Sequence, residues 1–161
     1  MSSASRSSVG SVADCDFCAI GRGEDDSAEI ICEGDNWVAF FPLEPATPGH
    51  TLVIPRVHAP DLWSIEASIG SELMRAVIRV GRAVELALSP DGMNLITSSG
   101  SAAEQTVFHL HLHVVPRWRN DAIGNIWPPE KPMSEVVKEN LADRIREACV
   151  SVVDGEDAGE P

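Results

Sequence analysis

The chain has 161 residues, of which 43% are hydrophobic and 23% are charged, so it is long enough for one domain with a sizeable core. Its 12 Lys and Arg against 25 Asp and Glu give a formal net charge of −13, which argues against nucleic acid or an anionic membrane surface as a partner. No apolar run approaches the roughly 20 residues of a membrane-spanning helix. With four Cys and no signal-peptide pattern, we expect reduced thiols and a cytoplasmic location.

The composition divides the chain into three parts. Residues 1–13 are rich in Ser and lack a periodic apolar pattern, which predicts a disordered tail. Residues 14–153 form the predicted domain, and residues 154–161 form an acidic tail that is also predicted to be disordered. Six further acids lie between residues 24 and 35, whereas the segment 105–119 contains none.

The first half of the predicted domain contains short apolar runs and one long amphipathic segment. Residues 38–41 and 51–54 are predicted strands, separated by a loop with three Pro and one Gly. Residues 71–88 predict a helix of about five turns. Its apolar stripe consists of Leu73, Val77, Val80, Gly81, Val84 and Leu88.

The second half adds two strands and a last helix. Residues 93–97 and 107–115 are the predicted strands, and Pro116 is expected to end the second of them. Residues 134–152 predict a helix that begins after Ser134 as N-cap. The side chains expected to face inward are those of Ile145, Ala148 and Val152. Strands interrupted by one long helix and followed by another indicate an α+β fold with a largely antiparallel sheet.

Three histidines lie at alternate positions of the predicted strand 107–115. His109, His111 and His113 alternate with aliphatic residues, so on a strand all three imidazoles would share one face. Three imidazoles on one face are an unusual core surface, although a purely structural role stays possible. They are suited either to binding one metal ion together or to supplying a nucleophile.

A Cys-x-x-Cys pair opens the predicted domain. Cys15 and Cys18 have the spacing of zinc ligands, and no βαβ pattern supports a redox role. Tetrahedral zinc needs two more ligands, for which His58 and one of the three alternating histidines are candidates. The alternative is that both cysteines are simply small buried residues.

These motifs together resemble the histidine triad (HIT) nucleotide hydrolases and transferases. The similarity covers about residues 14–118 and includes His-φ-His-φ-His-φ-φ at 109–115, its lead-in at 105–108, Cys15 with Cys18, and the stretch 48–55 followed by His58. The resemblance implies an α+β HIT-like fold with a five-stranded antiparallel sheet, one long helix and one C-terminal helix. Members usually form homodimers.

The resemblance also implies separate roles for the histidines. The middle one, His111, would attack the α-phosphorus of a nucleotide, and water would then release a nucleoside monophosphate from the covalent nucleotidyl-histidine. His113 would contact the phosphate, and His50 would belong to the hydrogen-bonded network behind it. A structural zinc ion would be bound by Cys15, Cys18, His58 and His109. Transferase-like relatives carry Gln at the third triad position, so His113 favours hydrolysis over nucleotidyl transfer.

The substrate pocket implied by the resemblance is less complete. Residues matching its substrate-contacting positions are Gln105, Thr106, Ser98, Phe17, Ile20, Phe40 and Leu43. Ser98 stands where relatives often have Asn, and Pro42 stands where they often have an acid or amide that binds the ribose. Glu44, two residues after Pro42, is a candidate for binding the ribose instead. The loop 117–129 is open to two interpretations, a substrate- or dimer-contacting loop and ordinary surface packing.

The leading interpretation is an enzyme that hydrolyses a phosphoanhydride or phosphoramidate bond of a nucleotide, expected to be a purine nucleotide. One alternative is a zinc-stabilised nucleotide-binding module with little turnover. Another is a metalloenzyme in which all three alternating histidines bind one catalytic metal.

Overall fold

The computed structural model describes residues 14–129 and 131–156. Its helices and strands in chain order are α1 (Asp16–Arg22), β1 (Ile30–Glu33), β2 (Trp37–Phe40), β3 (Thr51–Pro55), α2 (Ala67–Leu88), β4 (Gly92–Ile96), β5 (Leu112–Arg117) and α3 (Glu135–Glu156). The predicted tail 1–13 lies outside the described residues, as do residues 157–161. Residues 154–156, assigned to the acidic tail above, are the last residues of α3.

The five strands form one sheet in the order β1-β2-β3-β5-β4, and every neighbouring pair is antiparallel. A bulge between Ile30 and Cys32 interrupts the register of β1 against β2. The predicted fold class, an α+β fold with a five-stranded antiparallel sheet, one long helix and a C-terminal helix, is confirmed.

The sheet has a different helix on each face. On one face, the buried stripe of α2 packs against inward residues of β2, β3 and β5, including Ala39, Val53 and Val114. On the other face, Ile20 of α1 packs with Val38, Phe40, Leu52 and Ile54. Because both faces are covered, β2 and β3 are buried at every position. Burial of this apolar area, at about 25 cal/mol per Å², is the main force that holds the sheet between the helices.

The limits of two predicted elements need correction. The long helix begins at Ala67, four residues before the predicted start, and it ends as predicted at Leu88 because Ser89 adopts a left-handed conformation with φ 47°. The predicted strand 107–115 is wrong at both ends, since β5 begins at Leu112 and continues through Pro116 to Arg117. The residues just before β5 are not paired with a neighbouring strand. The backbone amide of Leu110 donates instead to the Ala59 carbonyl at 2.6 Å.

The turn before β3 positions the histidine that follows it. Gly49 has φ +80°, and a Cβ added there would overlap the Leu88 side chain at the end of α2. Only glycine fits this close approach in a left-handed conformation without strain. His50 therefore enters the sheet from a turn whose path is tightly constrained.

The part of the chain after Gly124 forms a separate unit that contains α3. The Ser134 hydroxyl accepts a hydrogen bond from the Val137 amide at 3.4 Å, as expected for the predicted N-cap. The prediction that Ile145, Ala148 and Val152 face inward is wrong, because all three are exposed. Charged residues occupy the same turns and leave the helix without a wide apolar face. Among the described residues, no helix is long and apolar enough to cross a membrane.

Candidate active site and metal centre

The three alternating histidines lie on the face of the sheet that α1 covers. His109 and His111 precede β5, and His113 is its second residue, paired with Leu52 of β3. The intervening Leu110, Leu112 and Val114 point into the core against α2, so the predicted alternation of imidazole and aliphatic side chains holds although the strand is shorter. His109 is fully buried, His111 is 7% exposed, and His113 is half-buried.

His111 is held in one orientation by its own backbone neighbour. Its Nδ1 lies 2.7 Å from the carbonyl oxygen of His109, which can only accept a hydrogen bond. The proton of the neutral imidazole is therefore on Nδ1, and Nε2 has a free lone pair. Since His111 lines a cavity of about 740 Å³, this lone pair belongs to a side chain that a ligand can reach. The arrangement is that of a nucleophile with a fixed tautomer.

A chain of hydrogen bonds behind His111 assigns the protons of two further histidines. The Ala46 amide donates to His50 Nδ1 at 3.1 Å, so the proton of a neutral His50 is on Nε2. That Nε2 donates to His113 Nδ1 at 2.9 Å, which leaves the His113 proton on its own Nε2. His113 also lines the cavity and can present an N–H donor to an anionic oxygen there.

Burial keeps these imidazoles neutral. Removal from water, together with the smaller effects of the neighbouring His111 and His50, lowers the pKa of His113 to about 4. Burial also lowers the pKa of His111, partly offset by its bond to the His109 carbonyl, and it lowers the pKa of His50. Neutral imidazoles are the form that attacks phosphorus and the form in which the assigned tautomers hold.

Four residues that the sequence proposed as zinc ligands meet at one point. The ligand atoms of Cys15, Cys18, His58 and His109 all lie within 4.8 Å of one another. His109 Nδ1 is 3.5 Å from Cys15 Sγ and 3.4 Å from Cys18 Sγ, and His58 Nδ1 is 3.3 Å from Cys18 Sγ. Tetrahedral zinc, with Zn–S bonds of about 2.3 Å and Zn–N bonds of about 2.0–2.1 Å, sets neighbouring S and N ligands about 3.5 Å apart.

The chemistry of this cluster, which we call the Cys2His2 cluster, also fits a metal ion. His109 Nε2 donates to the Pro55 carbonyl at 2.9 Å, so Nδ1 is unprotonated and faces the two sulfurs. Burial and the adjacent Cys15 thiol raise the pKa of Cys18 to about 11, so a thiolate here needs a cation beside it. Within the part of the chain that the structure describes, it is the one such group of His, Cys and acidic side chains.

The predicted substrate residues divide into two groups. Phe17, Ile20, Phe40, Leu43 and Thr106 line the same cavity as His111 and His113. The cavity is closed on one side by α1 and β2, and Leu43 at its mouth is 93% exposed.

Gln105 and Ser98 are not brought to the cavity wall. The side-chain amide of Gln105 is bonded within the protein. Its oxygen accepts from the Gly100 N–H, and its nitrogen donates to the carbonyls of Pro60 and Val107. Gln105 is buried and fixes the turn that precedes Thr106. This side chain therefore has a structural role in the turn. Ser98, seven residues earlier in the chain, is half-buried.

The sequence analysis missed an acidic part of the cavity wall. Asp16, Asp25, Ser27 and Glu29 line it together with Pro42 and Glu44. Asp25 accepts hydrogen bonds from the amide and hydroxyl of Ser27 at 2.9 and 2.6 Å, and these bonds lower its pKa. The clustering of acids between residues 24 and 35 is the available signal for this wall.

The loop after β5 is organised by one partly buried ion pair. Arg117 donates to Asp121 at 2.6 Å and to Asn94 at 2.7 Å, and its bond to the Asp121 carboxylate holds the pKa of that group well below its usual range. These contacts give the loop a structural role as far as Gly124, whose carbonyl also accepts from Arg117. Trp127, beyond them, is 84% exposed.

Comparison with known proteins agrees with this geometry. A family model described as the HIT domain matches residues 23–120. An uncharacterised HIT-like protein of Saccharolobus solfataricus is 37% identical over 139 residues, which are 86% of this chain and 99% of that protein. A protein of Arabidopsis thaliana named adenylylsulfatase HINT3 is 34% identical over 110 residues, 68% of this chain and 55% of its own length.

A solved structure adds a metal-containing relative. The zinc-bound histidine triad family protein of Mycobacterium smegmatis is 39% identical, with a TM-score of 0.65 over 73% of this chain and 85% of its own. The match of the domain model, the relative aligned over nearly its full length and the arrangement of the three histidines lead to one conclusion: this chain belongs to the histidine triad (HIT) family, whose members are nucleotide-binding proteins and nucleotide hydrolases or transferases.

Proposed function

We propose that the protein hydrolyses a phosphoanhydride or phosphoramidate bond at the α-phosphate of a nucleotide through a covalent intermediate on His111. The observation that carries this proposal is the state of that imidazole. Nδ1 donates to the His109 carbonyl at 2.7 Å, and the ring lines the same cavity as His113 and Thr106. An imidazole with one nitrogen fixed as a donor and the other free is suited to nucleophilic attack.

The reaction proceeds in two displacements. In the first, the Nε2 lone pair of His111 forms a bond to the α-phosphorus, and the bond from phosphorus to the leaving group breaks with its electron pair. In the second, water attacks the phosphorus, the P–Nε2 bond breaks, and His111 returns to its neutral state. The sum is one water consumed, with a nucleoside monophosphate and a protonated leaving group released.

His113 and His50 act on the phosphate in this scheme. The Nε2–H of His113 donates to a phosphoryl oxygen and stabilises the charge that builds up in the transition state. His50 holds His113 in the required tautomer, because its own tautomer is set by the Ala46 amide. We therefore treat His50 as a positioning residue and His113 as a catalytic residue.

The Cys2His2 cluster is proposed as a structural zinc site. When bound, zinc supplies the positive charge that lets Cys15 and Cys18 exist as thiolates. The four side chains connect the start of α1 to the segments that follow β3 and precede β5. A dithiol site of this kind persists where thiols stay reduced, which agrees with the expected cytoplasmic location.

The nucleoside is proposed to bind between Phe17, Ile20, Phe40 and Leu43, whose apolar side chains form a wall suited to a purine base. Pro42 offers no side-chain donor or acceptor, so Glu44 or Glu29 would accept hydrogen bonds from the ribose hydroxyls. The name of the Arabidopsis relative makes adenylyl sulfate a sensible first substrate, beside adenosine and guanosine phosphoramidates and dinucleoside polyphosphates.

We further propose that two copies pair through β4. This strand is at the edge of the sheet and bonds only to β5, and its Met93, Leu95 and Ile96 are 37%, 50% and 37% exposed. An exposed apolar edge strand is a ready surface for another chain. Sedimentation equilibrium should give a dimer mass, and Leu95→Lys should give a monomer. A monomer at micromolar concentration in the wild type would exclude the pairing.

Trapping the intermediate tests the proposed reaction. Wild type mixed briefly with a radiolabelled nucleotide substrate should retain label on the protein, and His111→Ala should retain none while binding the same amount of zinc. An equal yield of adduct from both proteins would refute His111 as the nucleophile. Normal nucleotide binding by the wild type with no product across the panel would favour the alternative, a nucleotide-binding module.

A further inference from the structure

One aromatic residue belongs to both the Cys2His2 cluster and the nucleotide cavity. Phe17 lies between Cys15 and Cys18 in the chain, so the position of its backbone is set by the two sulfur ligands. Its ring meets the His111 imidazole edge to face, with centroids 5.3 Å apart and planes at 84°. The ring also packs against Phe40, with centroids 5.5 Å apart and planes at 75°.

His109 provides a second connection between the same two places. Its imidazole Nδ1 faces both sulfurs of the Cys2His2 cluster, while Nε2 is held by the Pro55 carbonyl. Its backbone carbonyl accepts the Nδ1 proton of His111. One residue therefore offers its side chain to the metal site and its main chain to the nucleophile.

The two connections restrain different motions of the nucleophile. The hydrogen bond to the His109 carbonyl selects the tautomer of His111, and the edge of Phe17 limits rotation of the ring about its side-chain bonds. Both supports originate in residues that the Cys2His2 cluster holds in place. Small errors in the placement of a reacting group lower a rate by one to two orders of magnitude.

We propose that Phe17 is a positioning residue for His111, and that metal binding at the Cys2His2 cluster orients the nucleophile through Phe17 and the His109 carbonyl. This inference deepens the proposed function, on which it rests. It assigns to Phe17 more than a place in the apolar wall, and it makes the metal site part of catalytic competence as well as of stability.

The variant Phe17→Leu tests the first half of the proposal. Leucine keeps an apolar side chain but loses the ring edge against His111, and it leaves all four metal ligands unchanged. We expect zinc stoichiometry to stay the same and kcat to fall by about 10- to 100-fold with a smaller change in KM. A matched control is Trp63→Leu, which replaces an exposed aromatic side chain outside the cavity by leucine and which we expect to leave both kcat and KM unchanged.

A spectroscopic readout tests the orientation without any substrate. Imidazole 15N shifts of zinc-loaded wild type should report a single His111 tautomer with the proton on Nδ1. Phe17→Leu, and wild type after removal of zinc with a chelator, should report mixed tautomers or an exchange-broadened His111 signal. Circular dichroism measures how much of the fold survives chelation.

The outcomes separate this inference from the proposed reaction. Unchanged His111 shifts and an unchanged kcat in Phe17→Leu would overturn the role of Phe17, whatever chelation does. A folded, metal-free protein with wild-type His111 shifts would overturn the dependence on metal. If chelation unfolds the chain, His58→Gln, which keeps three ligands, takes its place in the same comparison. Because the 15N measurement needs no turnover, it stands even if His111 forms no adduct.

Discussion

Two imidazoles only two residues apart, His109 and His111, have opposite surroundings, and the difference supports the opposite roles that we propose for them. His109 is fully buried, with one nitrogen bound to a carbonyl and the other facing two sulfurs. His111 has one nitrogen bound to a carbonyl and belongs to the wall of an open cavity. A closed site with four ligands suits a structural metal, whereas an imidazole that a ligand can reach suits chemistry.

The motif determines which residue types are present, whereas the groups bonded to each imidazole determine what that imidazole can do. The two histidines share a repeat and a face, yet only the one opposite Cys15 and Cys18 can complete a metal site. The interpretation in which all three histidines bind one metal does not fit, because His109 Nδ1 faces Cys15 and Cys18, and among the described residues the three imidazoles do not form a group close enough to share one ion.

The largest expected effect comes from removing the proposed nucleophile. His111→Ala should lower kcat by at least about 10³-fold, since no other imidazole in the cavity has its lone pair free. Zinc content and thermal unfolding should stay close to wild type, because the side chain touches no ligand sulfur. Steady-state kinetics and metal analysis on the same preparation measure both. Loss of zinc from this variant would contradict the proposal that His109 binds the metal and His111 does not.

The closed site should show the reverse pattern. Cys18→Ser removes a buried ligand and should release zinc and lower the free energy of unfolding by about 3–5 kcal/mol. Cys149→Ser is the matched control, because that thiol is exposed on α3 and should change neither quantity. Denaturant unfolding with metal analysis checks the pair. Retention of one zinc per chain by Cys18→Ser would contradict the ligand assignment.

The hydrogen bond by which His50 fixes the tautomer of His113 predicts a smaller loss of rate. His50→Phe keeps an aromatic ring but cannot donate to His113 Nδ1, so kcat should fall by about 10- to 100-fold. His50→Gln can still donate from its amide and should recover part of that loss. Equal kcat values for Phe and Gln at this position would show that the hydrogen bond to His113 is irrelevant.

The depressed pKa of His113 predicts how stability depends on pH. Because the unfolded chain binds this proton near pH 6.5 and the folded protein only near pH 4, the stabilisation is present above pH 6.5 and is lost as pH falls toward 4. The free energy of unfolding of wild type should therefore fall by about 1–2 kcal/mol more than that of His113→Gln over this range. Zinc release at low pH affects both proteins and cancels in the difference. Parallel pH curves would contradict the assignment.

The smallest effect is expected at the cavity mouth. Leu43→Ala removes an almost fully exposed side chain from the base-binding wall and should raise KM by about two- to fivefold for a purine nucleotide. The change should be the same for adenosine and guanosine substrates, since an apolar contact does not read the ring substituents. An unchanged KM for both would remove Leu43 from the binding site.

Much of this site could be predicted from the amino-acid sequence. The alternation of imidazole and aliphatic side chains at 109–114 predicted which residues enter the core, and the Cys15–Cys18 spacing with His58 predicted the metal cluster. These signals are local, or they rely on ligand chemistry that permits few alternatives. The long helix was found from its apolar period, which packing against one face of a sheet requires.

Other features depend on contacts between distant segments. The strand limit at Leu112 follows from the Leu110 amide bonding to Ala59, 51 residues earlier, and no local pattern reveals that partner. The four residues of β1 are mostly exposed and lack alternation, so they gave no strand signal. The bond between His50 and His113 needs the register of β3 against β5.

Gln105 illustrates the limit of a resemblance carried over by position. The residue is in the place expected of a substrate contact, yet its side-chain amide is bonded to three backbone groups. Both N–H donors of this buried amide are used by backbone carbonyls, and its oxygen holds the Gly100 amide, so the side chain stabilises the turn. The resemblance implies a substrate contact at this position, and that role stays a prediction beside the internal hydrogen bonds of the side chain.

The most direct test is to locate the covalent nucleotide on the chain. The wild-type protein is mixed briefly with an adenylylated substrate and quenched in alkaline denaturant, because the P–N bond is labile in acid. Proteolysis and mass spectrometry then identify the modified residue. We predict one added nucleoside monophosphate on His111, with His109 and His113 unmodified. A modified His109 or His113, or full turnover without any adduct at His111, would contradict the division of roles between the two neighbouring imidazoles.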